Sequence, residues 1–151
     1  MFIGTLIPCD STIKSEQGKY YVFGTYSAVT VNGPHMEHTF TLYLRMISAF
    51  TGRLDCMLRI FDRTLGNDQQ PLMAAPIQFN ITSHLTVEGD AVPQVIETQI
   101  IVPKVQLALP VEKIHQLDTM QMIAPLDFIL STNGHEMARA TVLVIFNKAK
   151  P

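Results

Sequence analysis

The stretch that decides the fold is LDFILSTNGHEMARATVLVIF, residues 126–146. Asn133-Gly134 at its centre is the favoured pair for a two-residue type I′ turn, because both residues tolerate a positive φ. The flanking runs are rich in β-branched and aromatic side chains, which are typical of strands. The sequence therefore predicts a β-hairpin with residues 126–132 and 135–146 as its strands.

The turn also predicts a register and a buried face for this hairpin. An uninterrupted ladder would pair Thr132 with His135, Leu130 with Met137, and Phe128 with Arg139. Side chains alternate between the two faces of a strand. One apolar face of the last strand is therefore expected in the core: Ala138, Ala140, Val142, Val144 and Phe146.

The same period of two continues outward from the hairpin through most of the chain. Turn residues around Gly18 predict that residues 2–14 and 19–31 pair as a second hairpin. Gly24, in the middle of the second run, predicts a bulge or a close approach of another group to the backbone. Further strands are predicted at 39–49, 54–61, 77–87, 95–102 and 105–109, the last two being separate strands or one strand interrupted at Pro103.

One short helix is predicted around residues 111–122, as a crossover between strands. Pro110 suits a helix start, and Ile114, Leu117 and Met120 recur at a spacing of three. Many short strands with turn signals between them indicate an all-β fold. We expect a single antiparallel β-sandwich domain over residues 1–151, of immunoglobulin-like or jelly-roll type.

The composition indicates a folded chain that uses charge sparingly. Of 151 residues, 47% are hydrophobic and 16% are charged, against roughly 25% charged in an average soluble protein. Such a chain has enough apolar material to fold, and disorder is excluded. The low charge also suggests that a protein partner, or a second copy, covers part of the surface.

The charge balance speaks against two classes of ligand. The net charge is -2, and the basic residues are scattered along the chain. Nucleic-acid binding normally draws its affinity from a basic cluster, and so does binding to an anionic membrane surface. We therefore expect neither nucleic acid nor a membrane as the partner.

The apolar runs and the cysteines of the chain indicate its cellular compartment. No run approaches the roughly 18 apolar residues of a membrane span, and the apolar start, which stops at Asp10, is too short for a signal peptide. The two cysteines, Cys9 and Cys56, form no C-x-x-C motif and fit buried thiols in a reducing compartment. The expected location is cytoplasmic, with a disulfide between the two cysteines left open.

His35, Glu37 and His38 are the candidate metal ligands. On a strand the two histidines would point to opposite faces, whereas on a loop after Pro34 they would converge and still need ligands from elsewhere. We expect an exposed loop here, with no metal and no other cofactor.

The chain carries no recognisable motif for covalent catalysis. The chain has no G-x-S-x-G elbow and no papain-like motif. Cys56 alternates with Leu54 and Leu58, as a core residue would. No catalytic residue is predicted.

Four segments together resemble a known family. They are Cys9-Asp10, the strand from Gly18 to Gly24, Ile60-Phe61-Asp62, and the closing hairpin around Asn133-Gly134. In this order they resemble an uncharacterised family of small bacterial proteins. The resemblance implies a β-sandwich, and it implies no activity and no site residue.

The function predicted from these observations is a non-catalytic one, through protein–protein interaction or self-assembly. Two alternatives stay open. One is a small-ligand-binding or metal-dependent enzyme whose site is built from loops. The other is a phage-encoded accessory or structural protein.

Overall fold

The computed structural model describes residues 3–48, 51–65, 70–82, 86–87 and 90–150. Within them the chain forms eleven strands, numbered here in chain order. They are β1 Ile3–Lys14, β2 Tyr20–Thr25, β3 Ala28–Asn32, β4 His35–Ser48, β5 Gly52–Asp62, β6 Met73–Ile81, β7 Thr86–Val87, β8 Asp90–Ala91, β9 Gln94–Ala108, β10 Met122–Thr132 and β11 His135–Asn147.

Two sheets form a sandwich. Sheet A has the strand order β2-β1-β4-β9, and sheet B has the order β3-β11-β10-β5-β6. Neighbours within both sheets run antiparallel except β3 and β11, which are parallel. The all-β sandwich is confirmed, with this one parallel pair as a departure from the antiparallel expectation. The short strands β7 and β8 pair only with each other among the described residues.

The core lies between the inner faces of the two sheets. Phe40 of β4 and Phe128 of β10 are both fully buried, and their ring centroids lie 4.9 Å apart in an edge-to-face arrangement. This contact joins sheet A directly to sheet B. The predicted core face of the last strand is confirmed, since each of its members is buried: Ala138, Ala140, Val142, Val144 and Phe146.

The Asn133-Gly134 turn forms as predicted, but the strand register beyond the turn differs from the predicted one. Both turn residues have positive φ, 48° and 77°, and Thr132 pairs with His135. A bulge between Leu130 and Ser131 then shifts the ladder by one residue. The predicted pairings of Leu130 with Met137 and of Phe128 with Arg139 are therefore wrong.

The bulge has a physical reason in the pattern of side chains. Leu130 pairs with Ala138 and Phe128 with Ala140, so apolar residues face each other in the core. Without the bulge, Arg139 would share the inner face with Phe128. One extra residue places the arginine on the outer face instead.

The second predicted hairpin forms between β1 and β2, but its second strand is shorter than expected. β2 ends at Thr25, and β3 lies in the other sheet beside β11, so one continuous strand over 19–31 is wrong. Gly24 has φ 62°, and a Cβ there would clash with the carboxylate of Asp10. The predicted close approach at Gly24 is confirmed.

Two other strand predictions need correction or refinement. The strand predicted over 77–87 instead spans Met73–Ile81 as β6, and residues 83–85 of that prediction lie outside the described residues. β9 is one strand of 15 residues, interrupted where Lys104, after Pro103, has φ 51°. This confirms the second of the two alternatives for that stretch.

The predicted crossover helix is present and links sheet A to sheet B. It is a 3₁₀ helix, Val111–Asp118, that follows Pro110 and buries Leu117. It ends before residue 122, where β10 begins. No helix in the described part of the chain is long and apolar enough to cross a bilayer.

Candidate interaction surface

The candidate metal ligands His35, Glu37 and His38 lie on a strand rather than on an exposed loop. β4 begins at His35, because residues 35–38 continue the ladder with β9: His35 pairs with Ala108 and Glu37 with Gln106. The loop expected at 35–38 is therefore wrong. Strand geometry then separates the histidines, as alternation requires.

The two histidines have different surroundings. His35 is exposed, and Glu37 beside it accepts a hydrogen bond from Nε2 of Gln106 at 3.0 Å. His38 is half-buried, with its ring centroid 4.6 Å from Phe40 and 6.3 Å from Tyr26. Among the described residues no three histidine, cysteine, aspartate or glutamate side chains converge in a way that would hold a metal ion.

The contrast between the histidines gives a stability prediction. His35→Ala is expected to change the free energy of unfolding by about 0.5 kcal/mol or less, as for other exposed positions. His38→Ala removes two aromatic contacts and is expected to cost about 1 kcal/mol. Urea denaturation of the two variants measures the difference. A chelator is expected to leave the melting temperature unchanged, and a fall that Zn²⁺ reverses would contradict this account.

Both cysteines are free and buried. Burial raises the pKa of the Cys9 thiol and raises that of Cys56 to about 11. A nucleophilic cysteine needs the opposite shift, because the thiolate is the reactive form. The environment of each thiol is that of a small core side chain.

Charged side chains on the outer face of sheet B neutralise one another. Asp127, only 7% exposed, accepts hydrogen bonds from Arg63 at 2.8 Å, Arg139 at 3.0 Å and the Thr141 hydroxyl at 2.6 Å. Arg139 also forms a bidentate salt bridge with Glu136, in which Nε and Nη2 donate to the two carboxylate oxygens. This cluster is internally paired. Sequence reasoning missed it because the register expected without the bulge places Asp127 and Arg139 on opposite faces, and because Arg63 lies 64 residues from Asp127.

The outer face of sheet A is organised differently, because the β1–β2 hairpin bends across it. The Thr12 hydroxyl donates to Oε1 of Gln99 on β9, and the Tyr20 ring lies 6.1 Å from that of Tyr43 on β4. Tyr43, on the side away from the core, is thereby only 7% exposed. Burial, together with its hydrogen bond to Glu97, raises the pKa of Tyr43 to about 12.

The bent hairpin turns its other side to solvent, and that side is apolar. Ile13 is 57% exposed, Tyr21 47% and Phe23 47%. Ile13 and Tyr21 are direct cross-strand partners, so their side chains lie side by side. We call these three residues the hairpin patch.

A second apolar group lies on β9, at the edge of sheet A. Val95 is 51% exposed and Ile101 is 57% exposed. Both lie on the outer face, since their β4 partners Ile47 and Thr41 alternate with the buried residues of that strand. We call Val95 and Ile101 the β9 pair.

Comparison with known proteins gives little beyond these observations. No protein-family model matches the chain, and no curated protein matches it. The resemblance to an uncharacterised bacterial family therefore stays a prediction.

Among solved structures the chain is similar to a bacterial adhesin from Mobiluncus mulieris that contains intramolecular disulfide, isopeptide and ester bond cross-links. One crystal form matches with a TM-score of 0.46 and 9% identity, over 96% of this chain and 58% of the adhesin chain. A second matches with a TM-score of 0.44 and 8% identity, over 98% and 58%. The chain thus spans 58% of the length of the adhesin chains, and the fold assignment rests on the strand pairing described above.

Proposed function

We propose that this protein is a non-catalytic β-sandwich module that acts through protein–protein contact and associates with itself. The observation that carries the proposal is the apolar outer side of sheet A, made of the hairpin patch and the β9 pair. Within the hairpin patch Ile13 and Tyr21 lie side by side, and adjoining exposed apolar side chains mark interaction sites more often than scattered ones do.

The chemistry of the two faces favours sheet A as the contact surface. On sheet B, the carboxylate of Asp127 is occupied by Arg63 and Arg139. On sheet A, the five side chains of the hairpin patch and the β9 pair are uncharged, and burying them against a partner stabilises a complex by about 25 cal/mol per Å² of apolar surface. The low charged fraction of 16% fits a surface that a partner covers.

The proposal predicts reversible self-association. Sedimentation velocity at about 100 µM is expected to show a species heavier than one chain. The fraction of single chains should increase on dilution, as mass action requires. The driving force is apolar burial, so the association should survive moderate salt. A single-chain species at every concentration would contradict the proposal.

A further inference from the structure

The outer edge of β9 is a long unpaired strand edge within the described residues. β9 ends the order of sheet A, with β4 as its only neighbour there. Residues 95–101 read VIETQII, a run rich in β-branched side chains with no proline or glycine. Its one charge, Glu97, is already engaged by Tyr43 and Arg45 of its own sheet. Such an edge is a template for another strand.

The other three edges of sheets A and B lack this combination. β2 has 6 residues and contains Gly24, and β3 has 5 residues. β6 carries Pro76 next to its central residue, and proline at an edge is a usual protection against strand addition. On β9 the equivalent protection, Pro103 followed by the kink at Lys104, comes after residue 101.

We infer that the outer edge of β9 pairs with β9 of a second copy of this chain, antiparallel about a twofold axis at Thr98. This inference rests on the proposed function and names its partner. Main-chain hydrogen bonds between the two edges would supply affinity, and the side chains would set the register.

The register follows from the sequence of the edge. A twofold axis at Thr98 places Val95 opposite Ile101 and Glu97 opposite Gln99, each pair occurring twice. An axis at residue 97 would set Glu97 against Glu97, which is unfavourable. An axis at residue 99 would set Ile101 against Glu97 and Val95 against Pro103, which has no N–H to donate.

Charge substitutions test the edge. Val95→Lys places a lysine opposite Ile101 at both ends of the pairing and is expected to raise the dissociation constant about tenfold or more. Adding Ile101→Glu should restore association through opposite charges. The control is Ile123→Lys on β10, since Ile123 is 53% exposed and Val95 51%. It should leave the dissociation constant unchanged.

Engineered cysteines test the register. The double variant Val95→Cys, Ile101→Cys is expected to form a covalent dimer under mild oxidation, because paired positions lie within disulfide range. Within one chain the two positions are about 20 Å apart, too far for a bond. Each single variant should stay uncross-linked, because its cysteine faces Ile101 or Val95.

The outcomes separate this inference from the proposed function. If the unmodified protein associates but Val95→Lys matches Ile123→Lys, or the double cysteine variant does not cross-link, the β9 pairing is wrong and the proposed function stands. If the unmodified protein is a single chain at every concentration, both are wrong. Equal cross-linking of the single and double variants would overturn the register.

Discussion

Phe128→Ala is expected to lower the free energy of unfolding by about 3–5 kcal/mol, the range for removing a fully buried phenylalanine. Phe128 has no exposed surface, and its ring meets that of Phe40 across the sandwich. The substitution therefore leaves a cavity at the contact that joins the two sheets. Urea denaturation measures the loss. Far-ultraviolet circular dichroism is the suitable signal, because the chain has no tryptophan whose fluorescence could report unfolding.

The matched control for this variant is Phe23→Ala. Phe23 is 47% exposed, so its truncation should change the free energy of unfolding by about 0.5 kcal/mol or less at low protein concentration. Equal losses in the two variants would show that the core does not lie between β4 and β10.

Asp127→Ala is expected to cost about 2 kcal/mol, because it leaves Arg63 and the Thr141 hydroxyl without their acceptor on a largely covered face. Asp55→Ala is the control. Asp55 pairs with Arg53 at 2.9 Å, but both side chains are more than half exposed. Such a pair contributes about 0.5 kcal/mol or less. A loss for Asp55→Ala as large as that for Asp127→Ala would contradict the assignment of the cluster.

The same carboxylate should give the protein an acid-sensitive component of stability. Burial alone would raise the pKa of Asp127, but Thr141, Arg63 and Arg139 outweigh it, and the pKa lies below its usual value. The stabilisation is therefore present above the unfolded-state pKa of about 3.9 and is lost as the pH falls through the folded-state pKa. Asp127→Asn should flatten this acid limb of the stability curve.

The sequence was most informative where structure depends on neighbours in the chain. The Asn133-Gly134 turn was predicted correctly because positive φ at both positions is a property of those two residues. The buried faces followed from alternation alone. For example, Cys56 alternates with Leu54 and Leu58 as a core residue would, and all three are buried.

Predictions failed where the structure depends on the partner residues of a neighbouring strand. The bulge beside Leu130 forms because Arg139 has its partner Asp127 on the outer face, and that pairing cannot be read from either residue alone. The break between β2 and β3 likewise depends on β11, because residues 28–32 pair with the edge of that strand. His38 was placed on a loop because β9, which pairs with it, begins far along the chain.

The candidate surface was predicted only in its general character. Low charge indicated a covered surface but not its place. The sequence places Val95 and Ile101 in a strand without marking its exposed face, and the pairing of β9 with β4 shows that both lie on the outer face of sheet A. The hairpin patch cannot be recognised from the sequence either, because its exposure to solvent follows from the bend of β1 and β2 across sheet A.

The most direct test of the β9 pairing is hydrogen exchange of the amides of residues 95–101 at high and low protein concentration. Alternate amides of this run face away from β4, and pairing with a second copy should protect them at high concentration only. Amides on the outer edge of β6 provide the internal control and should exchange at the same rate throughout. We predict that protection of the β9 edge falls on dilution and is absent in Val95→Lys. Exchange at residues 95–101 that is independent of concentration would contradict the account.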